Sequence, residues 1–439
     1  MTQCLIRGAE IDGRDHMSVR CVDGFVAEIG RLEPRPSEFV INADGGLLIP
    51  GLHDHHLHLY SLAASLQSVR CGPPEVHDEP ALIEALSQPG DGWLRGVGYH
   101  ESVAGEIDRA WLDRHVPTRP VRVQHRSGRL WILNGRALQA MGIDDVPDGR
   151  LYDQDVMLRR LRQPPDIARA SAVLARYGVT GVTDMTPSND EPDHYAVLTA
   201  RGALTQSCTV AGCCVAGIPI RKFHLHDVEL PPLDELIRDI RQAHSAGQTI
   251  AVHCVTEVGL VFTLAAIREA GALPGDRIEH ASVCPQALVE QIAELGVTVV
   301  TQPNFVAERG DAYASDLPRD ELDDLYRLKS FDDAGVPLAA GTDAPFGDPN
   351  PWAAMAAATR RTTPDGRVLG ANEIVTPERA LALFLGEPHA PHKPRQLTVG
   401  MPADLCVLDR PWSQAKSALA EVTVQHTLFA GTLWADEDG

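Results

Sequence analysis

The residues best suited to chemistry begin in Pro50-Gly51-Leu52-His53-Asp54-His55-His56-Leu57-His58-Leu59. Side chains on a strand alternate faces, so Asp54, His56 and His58 would share one face. His53, His55 and Leu57 would share the other. Two imidazoles two residues apart on one face can bind one metal ion from the same side. His53 and His55, turned toward an outer layer, read as structural or supporting residues. Three further polar residues sit in comparable places. His253 ends Ile250-Ala251-Val252-His253, His280 ends Arg277-Ile278-Glu279-His280, and Asp343 ends Ala339-Ala340-Gly341-Thr342-Asp343. Each closes a short apolar or glycine-rich run and precedes a loop. A buried imidazole or carboxylate without a partner is costly, and one shared metal cluster would satisfy them all.

Such residues need a scaffold that brings strand ends together. From Gly178 onward, strand-like and helix-like patterns alternate. The strands are expected at 179–184, 208–215, 220–226, 249–255, 277–281, 298–301 and 337–342. Amphipathic helices are expected at 233–246, where Leu233, Leu236, Ile237, Ile240 and Ala243 share a face, and at 260–270 and 286–295. Alternation of this kind implies parallel β-α units. A strand at 51–58 makes eight, the count that closes a (β/α)8 TIM-type barrel, whose catalytic groups sit at strand ends. The expected fold class is therefore α/β. The chain ends read differently, as short strands joined by turns at Asp12-Gly13, Asp23-Gly24 and Gly431. Residues 1–50 and 396–439 are expected to form one small β-sandwich domain, with the barrel at 51–395. Residues 62–177 are too long for one crossover and contain strand candidates at 93–99, 121–124 and 130–133. They read as an insertion covering the barrel mouth.

The chain resembles the amidohydrolase superfamily, and within it the group that includes N-substituted formamide deformylase. The likeness rests on Pro50-Gly51 followed by Asp54-x-His56-x-His58, Ala251-Val252-His253, Arg277-Ile278-Glu279-His280-Ala281, and Gly341-Thr342-Asp343-Ala344-Pro345. Asp348-Pro349-Asn350-Pro351-Trp352 and Gly400-Met401-Pro402-Ala403-Asp404-Leu405 add to it. The resemblance implies that His56, His58 and Asp343 hold the more buried metal and His253 and His280 the outer one. It also implies that Lys222 bridges the two after carboxylation by carbon dioxide. A buried lysine loses proton affinity, so its neutral amine can form that carbamate. One or two divalent metals are expected, zinc first for imidazole and carboxylate ligands. The implied reaction is attack by a metal-activated hydroxide on a C–N bond, in an amide, an N-formyl or N-acyl amine or a cyclic amide. Asp343 would be the general acid and base. The alternatives are a non-catalytic scaffold of this fold, and a metal-dependent lactonase or deaminase on the same site.

Substrate contacts are expected from Trp93, Tyr99, His125 and Arg126 in the insertion, and from His224 and Gln302 in the barrel. His226 shares the Lys222 face of a regular strand. The related group usually carries an Asp-Gly-His-like segment where this chain has Arg126-Ser127-Gly128-Arg129.

The 439 residues are 44% hydrophobic and 23% charged, ordinary globular usage, with net charge −21. That surface repels phosphate backbones and anionic lipids, so nucleic-acid and membrane partners are not expected. A small molecule is the expected partner, and a homodimer is left open. The nine cysteines form no CxxC pair, and no apolar run is long enough to span a bilayer. A cytoplasmic location follows as the expectation. Cys213-Cys214 reads as a buried small pair. No glycine-rich nucleotide motif is present.

Overall fold

The structure is a computed structural model describing residues 3–435 except 74, 91, 144, 155–164, 188, 190–193, 213–217, 227 and 228. Eight strands form one sheet. They are β1 (Leu52–Leu57), β2 (Val179–Asp184), β3 (Ser207–Gly212), β4 (Ile220–His224), β5 (Thr249–Cys254), β6 (Arg277–His280), β7 (Thr298–Thr301) and β8 (Leu338–Ala340). Neighbours pair in parallel in that order. The end of the first strand bonds to the turn that follows the last. Asp343 N donates to His56 O at 2.7 Å and His58 N to Ala344 O at 2.8 Å. The fold is an α/β barrel. Every residue of β1, β2, β6, β7 and β8 is buried, as a parallel sheet covered on both faces requires.

The seam between β1 and β8 needs a glycine. A Cβ on Gly341 would lie 2.4 Å from His56 N, which is backbone and cannot swing aside. Gly341→Ala is expected to destabilise the chain by about 1–3 kcal/mol. A lowered Tm would register this, and an unchanged Tm would mean that the seam can part without cost.

Crossover helices follow their apolar stripes. In α1 (Leu233–Ser245), Leu236, Ile237, Ile240 and Ala243 are buried. Leu233, expected on that face, is exposed because it occupies the first helical position, ahead of the packed turns. The next helix, α2 (Glu257–Ala270), starts before the apolar stripe, since Thr256 caps it by accepting from Gly259 N. The helix α3 (Gln286–Leu295) has the expected bounds. Strands four and eight are shorter than their expected 220–226 and 337–342. His226 makes only an isolated bridge to Glu229, and Asp343, at φ +56°, turns the chain after β8. Strand three ends at Gly212, and Cys213-Cys214 lie outside the described residues.

Two four-stranded sheets are built from the chain ends. One orders Phe25–Gly30, Arg14–Val22, Gln3–Ile11 and Phe39–Asn42; the other orders Thr432–Leu433, Val424–Phe429, Leu405–Leu408 and Leu48–Pro50. Ile6, Val19, Leu48, Leu405, Val407 and Leu428 share one core between them. By compactness the chain divides into Met1–Leu59 with Ala170–Gly439, and a second unit, Tyr60–Arg169. That second unit has its own five-stranded sheet and a core that includes Leu82, Leu112, Val121 and Val123. Among the described residues no helix is long and apolar enough to cross a membrane.

Candidate metal centre

The ends of β1, β6 and β8 converge. Ligand atoms of His56, His280 and Asp343 all lie within 4.8 Å of one another, and all three residues are buried. His58 Nε2 stands 3.1 Å from Asp343 Oδ1, and His56 Nε2 stands 3.5 Å from the same oxygen. The His253 ring lies 4.5 Å from that of His280. Lys222, midway along β4, is 5% exposed, and its buried Nζ has no hydrogen-bond partner among the described residues.

Local backbone makes this convergence. Strict alternation on β6 puts Arg277 and Glu279 on one face and His280 on the other. His280 instead adopts φ +71° and Ala281 φ +46°, and the turn brings the His280 ring to 4.7 Å from that of His56. Asp343 is likewise at positive φ. Non-glycine residues there cost roughly 1–2 kcal/mol each and persist where surrounding contacts overdetermine them.

Partners behind the ring nitrogens set the tautomers. His56 Nδ1 lies 2.5 Å from Glu279 Oε2, so the carboxylate holds a proton on Nδ1 and leaves Nε2 with its lone pair. Glu279 is itself held by Arg277, whose Nε donates at 2.6 Å and whose Nη2 also reaches His55 O at 2.7 Å. His280 Nδ1 donates to Gln302 Oε1 at 2.7 Å, with the same result. His58 Nδ1 meets Thr186 Oγ1 at 3.2 Å. Asp54 accepts from His56 N, Thr342 N and Thr342 Oγ1, tying β1 to the end of β8. Burial pushes Asp54 up to about 7, against the hydrogen bonds that hold it down.

Burial keeps His56, His280 and His253 far below the ordinary imidazole value, so all three are neutral and able to donate lone pairs. His224 is pushed down to about 4, by partial burial and then by Lys222 and His226. Burial lowers Lys222 as well. Burial would raise the Asp343 carboxyl, but the His58 contact, aided by the neighbouring His56 and Lys222 nitrogens, outweighs it and holds the carboxylate below its usual range. Neutral imidazoles, an ionised carboxylate and an unpartnered buried amine form a donor set that fits a divalent cation.

These depressed imidazoles carry a sign. The unfolded chain protonates its histidines as pH falls through about 6.5, while the folded chain resists. Stability is therefore expected to fall below about pH 6.5, by about 1.4 kcal/mol per pH unit for each imidazole kept neutral. Unfolding of metal-free protein between pH 7.5 and 5.5 measures this, and a flat profile would contradict it.

His53 and His55 lie away from this cluster, stacked on one another with ring centres 4.5 Å apart. His53 Nε2 meets Thr183 Oγ1 at 2.9 Å. His224 lies beside the cluster, its ring 4.5 Å from that of His253. Gln302 is fully buried and committed to His280. The other substrate candidates belong to the second unit. There Tyr99 donates its hydroxyl to Gly105 O, and His125 sits between Glu101 and Ser127 at 2.9 and 2.8 Å. The Arg122 guanidinium stands over the Trp93 ring, and Arg126 N donates to Tyr99 O. Arg129 is paired with Asp153. A cavity of about 430 Å³ in this unit is lined by Tyr99, Glu101, His125, Ser127 and Arg150 among others.

The sequence pattern of the amidohydrolase family matches residues 39–434. The chain belongs to the amidohydrolase family. An N-substituted formamide deformylase of Arthrobacter pascens is 24% identical, over 92% of this chain and 91% of its own. An uncharacterized metal-dependent hydrolase from Pyrococcus furiosus superposes with TM-score 0.74 at 20% identity, covering 93% of this chain and 99% of its own. One from Pyrococcus horikoshii OT3 superposes with TM-score 0.75 at 19% identity, covering 93% and 97%. For an amidohydrolase, the residues that reading strand ends overlooks are Glu279, the partner of His56 Nδ1, and Arg277, which holds Glu279. One signal was available for both. Arg277 and Glu279 alternate on a fully buried strand, and two such charges need a partner.

Proposed function

We propose that this amidohydrolase is a metal-dependent hydrolase of a C–N bond in a small amide, with N-formyl and N-acyl amines the first class. The observation that carries the reading is the meeting of His56, His280 and Asp343 within 4.8 Å, with His58 against the same carboxylate. The formamide deformylase activity named for the Arthrobacter relative favours the N-formyl class. In this reading His56, His58 and Asp343 would hold one zinc ion, and His253 and His280 would hold a second. Lys222 would supply a carbamate ligand, its neutral amine adding to carbon dioxide with formation of an N–C bond and release of a proton. Bound zinc polarises a carbonyl and acidifies water.

The protein's own groups do the rest. Glu279 and Gln302 keep the His56 and His280 rings in register through their Nδ1 protons. Asp343, ionised at neutral pH, accepts a proton from the attacking water and returns it to the departing nitrogen. The seven described cysteines are all unbridged, which supports a reducing, cytoplasmic setting. A non-catalytic scaffold would have no use for ligands that converge this closely.

The test is turnover of a panel of N-formyl amines, N-acyl amines and lactams by zinc-loaded protein. Activity should vanish on chelation and return with zinc. Turnover of lactones or phosphoesters alone, with every amide inert, would sink the C–N reading.

A further inference from the structure

The centre's imidazoles do not stop at the buried ligands. Six rings follow one another in contact. Centre-to-centre distances are 5.5 Å from His58 to His56 and 4.7 Å from His56 to His280. They are then 4.5 Å to His253, 4.5 Å to His224 and 4.9 Å to His226. Strand register makes the outer half of this row, since His224 on β4 pairs directly with His253 on β5. His226 follows two residues later, with its ring stacked on that of His224 at 25°. Exposure rises from His56 outward: His56 and His280 are buried, His253 is intermediate, and His224 and His226 are exposed.

The spacing has a chemical meaning. Two imidazoles bound to one ion at metal–nitrogen distances of about 2.0–2.1 Å have ring centres about 5 Å apart in a tetrahedral site. The outer pair meets that measure as well as the buried pairs do. Among the described residues, no hydrogen bond engages the His224 or His226 ring, so their lone pairs are not committed. The net charge of −21 also enriches divalent cations near the surface.

We propose that His224 and His226 form an outer, exchangeable binding site for a divalent transition metal, from which the ion passes inward along the imidazole row. Each step exchanges one imidazole or water for the next imidazole, so the ion is never stripped of nitrogen ligands. The outer site stands on its own geometry. Only the inward transfer rests on the metal-centre reading above.

The experiment uses the full chain and cobalt(II), which reports its ligands by absorption. Protein whose tight sites are already filled is dialysed against metal-free buffer, then titrated. Wild type should take up a further, weakly held equivalent, and His226→Asn should lose it. His226→Cys should keep it and add a thiolate-to-cobalt charge-transfer band, which confirms ligation in a folded variant. Stopped-flow loading of metal-free protein should be slower in His226→Asn, with the same tightly bound content at the end. No further equivalent in wild type, or one that survives His226→Asn, overturns the site. Loss of the equivalent with unchanged loading rate overturns the transfer. Failure of the inner reading shows separately, as absence of any tightly held metal in wild type.

Discussion

If the proposed hydrolysis holds, Asp343→Asn is expected to lower turnover by about 10²–10⁴-fold, the range lost when a positioned acid–base group is removed. The substitution keeps shape and size, so the turn at φ +56° and the backbone bond to His56 O can persist. What disappears is the charge. His58 Nε2, 3.1 Å away, then faces a neutral amide, and the proposed proton transfer to the leaving group loses its donor. Metal content measured on the same sample divides the effect. Retained metal with lost turnover assigns Asp343 to proton transfer, and lost metal assigns it to ligation. A variant that keeps most of its turnover would remove Asp343 from the mechanism.

Glu279→Ala should be the most destabilising single change at the site. Glu279 is fully buried between Arg277 and His56, with contacts of 2.6 and 2.5 Å. Removing one partner of a buried ion pair strands the other, at a cost of about 3–5 kcal/mol. The Arg277 Nη2 bond to His55 O cannot replace a countercharge. The loss also frees the His56 tautomer, and losing such an outer partner typically weakens metal binding by roughly 10–100-fold. Denaturant unfolding measures the first effect, and competition with a chelator the second. Glu279→Gln separates them: it keeps the shape and an acceptor for Nδ1 but not the charge. A loss below about 1 kcal/mol in Glu279→Ala would show that Arg277 is neutralised by some other route.

The strands and their order were legible because buried parallel strands leave a simple trace, a short apolar run closed by a polar residue. His56, His58, His253, His280 and Asp343 stood out for the same reason. The partners of the rings were harder to read. Glu279 shares its strand with His280 yet bonds His56, which lies 223 residues away in the chain. Gln302, read as a substrate contact, is committed to His280. Thr186, just past the end of β2, meets His58 Nδ1. In each case the partner could not be read, because a hydrogen bond between two strand ends has no spacing along the chain.

By itself, then, the sequence determined the alternation that makes a barrel, the family pattern and which polar residues had to end buried. Those follow from local periodicity and the cost of burying unpaired charge. Only the tertiary structure decided which way each ring turns. The positive φ of His280 reverses the face that alternation assigns to it, and Glu279 and Gln302 choose which nitrogen keeps its lone pair. The reach of the imidazole row to His226 was also decided there. Register between β4 and β5 sets it, and register is a property of paired strands that neither strand carries alone.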